Sequence, residues 1–373
     1  MKRIRRLGIV LGASSLVLGT VTIGVAATTA TAASKPAISK PAVSTYKACV
    51  VIDTGGVKDK SFNQSAWQGA LDAQKADPSI SPSYLTSNSS ADYAPNITTF
   101  ESKGCGIIVT VGFNMDAATA AAANAKPSQK FAIVDDLPTT TSHNVLALQY
   151  ETNQAAFLGG YLDAATSKSG VVATYGGEAF SSVTMYMSGF VAGVRYYDKE
   201  NKAKVKVLGF TPKGMCSLSV CNGTGTFVGN FTSQTDGKSI AAGFFSQGAD
   251  YVFPVAGSVG LGSVVAAKQA GKGHQITWVD SNGCLTDVPD CKWYNATVAK
   301  GVEPSVEAAI LSAAKGTFKG GSYHGTLSNA GTLLEYNTTS ASATLKATLA
   351  TITKGIEKGT ISVQPTSYPA TPK

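Results

Sequence analysis

The strongest constraint on the fold is a repeated alternation of short apolar runs with longer amphipathic segments. The runs are rich in β-branched residues and contain few polar interruptions, which is typical of strands covered by helices on both faces of a sheet. They are ACVVID, GIIVTVG, KFAIVDD, NVLALQY, GVVATYGG, KVKVLGF, ADYVFPVAG and QITWVD. Because the alternation continues from Ala48 onward, the sequence predicts an α/β fold built on parallel sheets.

The segments between these runs are predicted to be helices. In FNQSAWQGALDAQKA, apolar or small residues recur at helical spacing. Ser61 and Gln64 form a capping-box pattern at the start of this segment. The other predicted helices are AAFLGGYLDAAT, VTMYMSGFVAGVRYY, SIAAGFFSQG and LGSVVAAKQAG.

Many of the predicted strands end in Asp or Gly, namely at Asp53, Gly112, Asp135, Gly176, Gly257 and Asp280. In open α/β sheets, ligands bind beyond the carboxyl ends of the strands, where small residues allow close approach and carboxylates accept hydrogen bonds. The strand ends therefore predict a ligand cleft. The alternative is that these residues only form turns.

The N-terminus has the pattern of a signal peptide. Four basic residues among the first six precede an apolar stretch from Leu7 to about Ala27, which small residues follow. We expect residues 1–33 to be a signal peptide cleaved after Ala32 or Ala33, with a membrane anchor as the alternative. The adjacent arginines leave open whether export uses the general or the twin-arginine route.

Residues 34–46, rich in Pro, Ser, Ala and Lys, are predicted to be a flexible tether. The first cysteine, Cys49, lies in a predicted strand and not directly after the small residues, so the sequence contains no lipobox. We therefore expect an extracytoplasmic protein, secreted or held at the cell surface, without an N-terminal lipid.

Half of the net positive charge of the chain belongs to this leader. The chain has 31 basic and 23 acidic residues, and loss of the four leader residues leaves 27 against 23, or +4. No stripe of Lys and Arg with interleaved aromatic residues occurs in the remainder, so we expect no nucleic-acid partner.

Six cysteines in an exported chain can form disulfides. Their spacing suggests Cys49 with Cys105, Cys216 with Cys221 and Cys284 with Cys291, although spacing alone does not fix connectivity. A metal site is not expected, because no CxxC pair occurs and the three histidines are far apart in sequence.

The segment DTGGVKDKSFNQSAWQGA resembles the opening signature of the basic membrane protein / purine nucleoside receptor family, D-x-G-x-x-x-D-x-S-F-N-x-x-x-x-x-G. The resemblance spans most of the mature chain. It continues through GFNMD, FAIVDD, YETNQAAFLGGYLDA, SGFVAG, GADYVFPVAGSVGLGSVVAAKQ, TWVD and NATVAKGVEPSVEAAI.

This resemblance implies a type I periplasmic binding protein fold, with two Rossmann-like lobes joined by a three-crossover hinge. The chain is also longer than chains that usually fold around a single hydrophobic core, so we expect two domains. We expect an N-terminal lobe of residues 47–147 plus about 278–325, and a C-terminal lobe of residues 148–277 plus about 326–373.

The implied function is that of a substrate-binding protein of an ABC importer. It would bind a nucleoside, with a purine expected, and deliver it to a permease. It would need no cofactor and would meet the membrane only through the permease.

The resemblance also implies roles for seven residues. Asp59 lines the cleft mouth, Trp67 and Phe231 sandwich the base, and Asp135 binds its polar edge. The ribose is held by Gly257, Asp280 and Lys300. Aromatic faces stack on any base and carboxylates accept from N–H and O–H groups, which agrees with these roles.

Each role has a simpler alternative. Trp67 and Phe231 are also suited to a core, Asp135 to a helix cap, and Asp280 and Lys300 to an exposed surface. One departure from the family pattern is Lys58, where relatives carry Asn or Asp. Its cation could pair with Asp59 or favour an anionic ligand.

Other functions fit the sequence less well. Asp53 and Asp59 faintly resemble the calcium-binding motif of nucleoside hydrolases, but Gly55 and Lys60 replace two of its four carboxylates. No catalytic motif of a hydrolase or nucleotide enzyme occurs, so an enzyme is not expected. A simple-sugar-binding protein of the same fold and a surface adhesin or sensor remain as alternatives.

Overall fold

The structure, a computed structural model, describes residues 45–336 and 341–372. The predicted signal peptide lies outside the described residues, as does nearly all of the predicted tether. Tyr46, the last residue of that tether, already belongs to the first strand. Among the described residues, no helix is both long enough and apolar enough to span a membrane.

The described chain contains fourteen strands. They are β1 Tyr46–Ile52, β2 Ile80–Thr86, β3 Ile107–Val111, β4 Lys130–Val134, β5 Val145–Tyr150, β6 Val171–Gly176, β7 Lys206–Leu208, β8 Phe210–Cys216, β9 Cys221–Gly225, β10 Tyr251–Val255, β11 Gln275–Asp280, β12 Tyr294–Lys300, β13 Gly321–Gly325 and β14 Thr332–Tyr336.

Ten α-helices accompany these strands in the described residues. They are α1 Phe62–Ala76, α2 Tyr93–Ser102, α3 Asp116–Ala125, α4 Thr152–Thr166, α5 Ser181–Asn201, α6 Gln234–Ser246, α7 Gly260–Ala270, α8 Gly283–Thr286, α9 Val302–Ala314 and α10 Ala343–Glu357.

The strands form two six-stranded sheets and a separate β8–β9 hairpin. The first sheet has the order β13-β5-β4-β3-β1-β2, with every pair parallel. The second has the order β14-β12-β11-β10-β6-β7, parallel except for the edge strand β14. The predicted parallel α/β fold is confirmed, and all eight apolar runs contain strands of these sheets.

We call the first sheet with α1, α2, α3 and α9 the first lobe, and the second sheet with the remaining helices the second lobe. Within the described residues the chain passes between the sheets three times, after Tyr150, at Gly301 and after Gly325. The sequence prediction placed the second passage near residue 278. It lies later, because β11 and β12 are central strands that pair within the second sheet.

Two helices of the second lobe, α4 and α5, approach closely through paired glycines. A Cβ atom at Gly193 would overlap the Phe157 carbonyl oxygen, and one at Gly160 would overlap the Phe190 carbonyl oxygen. The absence of these side chains therefore sets the distance between the two helix backbones.

The three predicted disulfides are present. Cys49–Cys105 ties β1 to the segment before β3, and Cys216–Cys221 closes the β8–β9 hairpin. Cys284–Cys291 closes the loop that connects β11 to β12. None of the cysteines is free, as expected for an exported chain.

The close approach of α4 and α5 at their glycines predicts different effects for two glycine-to-alanine substitutions. Gly193→Ala should lower the free energy of unfolding by about 1–3 kcal/mol, because the new methyl group forces the two helix backbones apart. Gly243→Ala in α6 is the matched control, since no atom lies within 4 Å of its added Cβ. It should stabilise by about 0.5–1 kcal/mol through helix propensity. Urea unfolding of both variants measures this difference, and equal effects would contradict it.

Candidate functional site

A cavity lies between the carboxyl ends of the strands of the two sheets. It encloses about 620 Å³ of space free of protein atoms, part of it open to solvent. Both lobes line it, with Asp53, Asp59 and Asp135 from the first and Phe231, Asp280 and Lys300 from the second.

Six of the seven predicted site residues line this cleft. They are Asp59, Asp135, Phe231, Gly257, Asp280 and Lys300. Gly257 begins the short 3₁₀ turn that leads into α7, and it faces the Asp59 carboxylate across the cleft. Of the six strand ends predicted to form a ligand cleft, five line it and Gly176 does not.

Trp67 is the exception, and its predicted place in the cleft is not what the structure shows. Phe62 of α1 lines the cleft. Trp67 lies five residues further along the same helix, which turns it about 140° away. It packs against the first-lobe core and against Tyr84 of β2, with ring centroids 4.8 Å apart. An apolar stripe on a helix predicts burial, but it does not say which neighbour buries it.

Four phenylalanine rings contribute aromatic surface to the cleft: Phe62, Phe113, Phe180 and Phe231. Phe113 and Phe180 come from different lobes and stack at 5.0 Å with an interplanar angle of 18°. Phe180 also lies 6.3 Å from Phe231 at 26°. The sequence reasoning missed all but Phe231. Phe113 had a weak signal, since it follows the strand-end Gly112.

Contacts from the second lobe fix the position of Phe231. Ser258 Oγ donates to the Phe231 carbonyl oxygen at 2.6 Å. A Cβ at Gly177 would overlap the Phe231 ring, so only glycine leaves room for it there. The ring is therefore held in place before a ligand arrives.

Asp59 closes the N-terminus of α1 with its side chain. Its carboxylate accepts from the backbone N–H groups of Ser61 at 3.0 Å, Asn63 at 2.8 Å and Gln64 at 3.0 Å. Burial raises the pKa of the Asp59 carboxyl to about 7, although these three bonds lower it. The predicted pairing with Lys58 is absent from the described ion pairs, and Lys58 is exposed.

The predicted capping box at Ser61 and Gln64 is wrong. The Ser61 side chain makes no capping bond to α1, because Asp59 already occupies those N–H groups. The Ser61 hydroxyl instead reaches the second lobe, where it contacts the Val279 carbonyl oxygen and the Asp280 carboxylate.

Asp53, predicted from sequence as a strand end, also lines the cleft. Its Oδ1 accepts from Gly55 N at 2.8 Å and from Asn63 Nδ2 at 2.7 Å. Burial raises the pKa of Asp53 to about 6, although both bonds lower it. The buried Asn63 Oδ1 has no hydrogen-bond partner in the described residues.

Lys300 joins the two lobes at the base of the cleft. Its Nζ lies 2.7 Å from Asp135 Oδ2 of the first lobe and 3.5 Å from Asp280 Oδ1 of the second. Burial lowers the pKa of the amine, but the two carboxylates outweigh it and the net pKa is raised. The Phe62 ring centroid lies 4.8 Å from the same Nζ. Lys300 is therefore a fixed, charged donor.

Asp135 and Asp280 both have left-handed backbones, with φ of 76° and 65°. This conformation costs a non-glycine residue of order 1–2 kcal/mol. Asp280 ends β11 and Asp135 directly follows β4, and both line the cleft. Asp adopts this backbone conformation more often than most other non-glycine residues.

The charge of the cleft favours hydrogen-bond donors. Among the described residues that line the cleft, four have carboxyl groups, Asp53, Asp59, Asp135 and Asp280, and one, Lys300, is a cation. A ligand bearing N–H and O–H groups suits this surface, whereas an anion would be repelled. No group of side chains suited to holding a metal ion occurs in the described residues.

The chain is similar in sequence to a known protein family and to several of its members. A family profile described as "ABC transporter substrate-binding protein PnrA-like" (Bmp) matches residues 46–213. An "ABC transporter nucleoside-binding protein BmpA" of Lactococcus lactis is 31% identical over 60% of this chain and 58% of its own length. A "CD4+ T-cell-stimulating antigen" of Listeria monocytogenes is 30% identical over 74% of this chain and 76% of its own length.

The fold was also compared with solved structures. A solute-binding protein of an ABC transporter system from Aeropyrum pernix superposes with a TM-score of 0.74 at 21% identity. The match covers 85% of this chain and 92% of the other. At this identity the likeness concerns the fold, which is that of type I periplasmic binding proteins.

The Lys300 contacts predict a pH-dependent stability. Lys300→Met leaves two buried carboxylates without their cation and should cost about 3–5 kcal/mol in the free energy of unfolding. Protonation relieves an unpaired buried carboxylate, so the loss should grow as pH rises from 5 to 8. The matched control is Lys268→Met, which breaks the partly exposed pair with Asp290 and should cost under about 1 kcal/mol. Denaturant unfolding of both variants at pH 5 and pH 8 measures these losses. Equal losses in the two variants would contradict the pairing of Lys300 with two buried carboxylates.

Proposed function

The chain belongs to the Bmp family of PnrA-like ABC transporter substrate-binding proteins, and on this premise we propose that it captures a nucleoside outside the cytoplasmic membrane. It would deliver this ligand to the permease of an ABC importer. Proteins of this family bind substrates rather than convert them, so no catalytic residue is assigned. No cofactor is needed for this role.

The observation that carries the proposal is the combination of aromatic faces and carboxylates in one cleft. Phenylalanine rings stack on a heterocyclic base whatever its identity, at about 1–3 kcal/mol per base. Carboxylates accept hydrogen bonds from base N–H groups and from ribose hydroxyls. The printed name of the Lactococcus relative, a nucleoside-binding protein, supports the same ligand class.

We assign roles to the cleft residues on this basis. The base stacks on Phe231 and the neighbouring phenylalanine rings, and Asp135 accepts from its polar edge. Gly257, Asp280 and Lys300 hold the ribose, and Asp59 shapes the mouth by fixing the start of α1. Trp67 has no direct role, since it packs on the core. A purine, the larger base, would present more surface to the four rings than a pyrimidine.

The charge of the cleft favours an uncharged nucleoside over a nucleotide. A nucleotide would bring a phosphate next to four carboxylates and one lysine, and this repulsion in a partly buried site is unfavourable. A neutral nucleoside avoids it. The exposed position of Lys58 gives the cleft no second cation to offset this charge.

A simple sugar is the second candidate, because the same carboxylates would accept from its hydroxyls. The rings of the cleft favour a nucleoside, since a base offers a flat π-face to stack on. Calorimetry against nucleosides, their free bases, nucleotides and pentoses separates the two.

We expect inosine, guanosine or adenosine to bind and to raise the unfolding free energy by about 2.7 kcal/mol at a hundred times the dissociation constant. The corresponding monophosphates should bind more weakly. Thermal unfolding with each ligand measures the shift. A clear shift with a pentose and none with any nucleoside would replace the nucleoside by the sugar.

The position of Trp67 predicts a contrast between two aromatic substitutions. Phe231→Ala should weaken the binding of every nucleoside by about 1–3 kcal/mol without reordering them, because it removes a base-stacking face. Trp67→Ala is the matched control and should lower stability while leaving affinity unchanged. Calorimetric affinities of both folded variants test this, and the assignment is wrong if Trp67→Ala weakens binding as much as Phe231→Ala.

A further inference from the structure

We propose that Tyr186 and Ser61 are positioning residues that fix the Asp280 carboxylate, and that through it they determine preference for a ligand with a vicinal diol. This inference rests on the proposed nucleoside function and adds two residues to it. Neither hydroxyl is assigned a direct bond to the ligand.

The two hydroxyls bind different oxygens of the same carboxylate. Tyr186 OH donates to Asp280 Oδ1 at 2.8 Å, and Ser61 Oγ lies 2.9 Å from Asp280 Oδ2. All three side chains are buried. Burial also holds the pKa of the Tyr186 hydroxyl well above its ordinary value, so it stays a proton donor. Lys300 Nζ also lies 3.5 Å from Oδ1. A carboxylate contacted at both oxygens has restricted rotation, so the direction of its remaining acceptor site is fixed.

Ser61 reaches Asp280 from the other lobe, and the contacts of its neighbour Lys60 hold it there. The Lys60 carbonyl oxygen accepts from Trp278 Nε1 at 3.2 Å, Ser281 Oγ at 2.8 Å and Thr286 Oγ1 at 2.9 Å. Lys60 has a left-handed backbone with φ of 61°. Three side chains of the second lobe thus anchor the peptide that carries Ser61.

The two hydroxyls reach Asp280 from different lobes. Tyr186 belongs to α5 of the second lobe, and Ser61 directly precedes α1 of the first lobe. The carboxylate is therefore oriented from both sides of the cleft. A ribose hydroxyl bonds best to an acceptor that is already aligned, so a freely rotating carboxylate would bind the diol less well.

A purely structural role is the alternative, in which the two hydroxyls merely satisfy a buried carboxylate. The two roles differ in one measurable quantity, the ratio of affinities for a ribonucleoside and its 2′,3′-dideoxy analogue. Loss of a structural contact lowers both affinities alike. Loss of a positioning contact lowers mainly the affinity for the ligand that has the diol.

The experiment is calorimetry of Tyr186→Phe and Ser61→Ala with inosine and 2′,3′-dideoxyinosine, after circular dichroism confirms folding. Each variant should bind inosine about tenfold more weakly, the effect of one lost charge-assisted hydrogen bond. Dideoxyinosine should change less than about twofold, within the spread of such contacts. Ser61→Thr keeps the hydroxyl, so it should keep the parental ratio of affinities for inosine and dideoxyinosine.

The matched control is Tyr175→Phe. Tyr175 is a buried tyrosine of the same lobe whose hydroxyl pairs with Ser263 Oγ at 2.7 Å, away from the cleft. Tyr175→Phe should leave the affinities for inosine and dideoxyinosine unchanged.

If Tyr186→Phe does not fold, Ser61→Ala alone tests the positioning role. If the folded variants keep the parental ratio of affinities for inosine and dideoxyinosine, the positioning role is wrong, but the nucleoside function stands as long as the parental protein binds inosine. If the parental protein binds neither nucleoside, both the proposed function and this inference are wrong.

Discussion

The cleft depends on one buried interaction, the ion pair that Lys300 makes with carboxylates of both lobes. A lysine with a side chain only 3% exposed loses most of its hydration, and it remains charged because Asp135 and Asp280 surround it. The turns at the ends of β4 and β11 adopt strained backbones that present these carboxylates. The hydroxyls of Tyr186 and Ser61 and the rings around Nζ then complete one connected network, so the polar end of the cleft is organised as a unit.

The architecture could be predicted from sequence because its signals are local. Apolar, β-branched runs gave the central strands, and strand-end Asp and Gly gave the cleft. The strands that escaped prediction lie mainly at edges or outside the main sheets. In β2 and β13, most residues are exposed or half-buried, so their sequences ISPSYLT and GSYHG carry little apolar signal. The second passage between lobes was misplaced because a strand such as β12 looks the same in either sheet.

The candidate site was only partly predictable, since its chemistry depends on contacts between residues far apart in sequence. Trp67 and Phe62 share a helix, and only the packing of β2 shows which of them faces the cleft. Ser61 is at a position where the sequence predicts a helix cap. Asp59 caps the helix instead, and the Ser61 hydroxyl bonds to Asp280 of the opposite lobe. Phe180 and Tyr186 had no motif to mark them. Such roles follow from tertiary geometry, and periodicity or composition does not encode them.

The three passages of the chain between the sheets have a consequence for the order of folding. The first lobe needs α9 and β13, so its sheet cannot be completed until residue 325 is available, although its first strand ends at Ile52. The second sheet needs β14, which ends at Tyr336, so each sheet receives its last strand late in the chain. The contacts that close the first sheet span more than 170 residues, from β5 to β13. Contacts between parts of the chain so far apart in sequence slow folding, and neither sheet is complete until most of the chain is available.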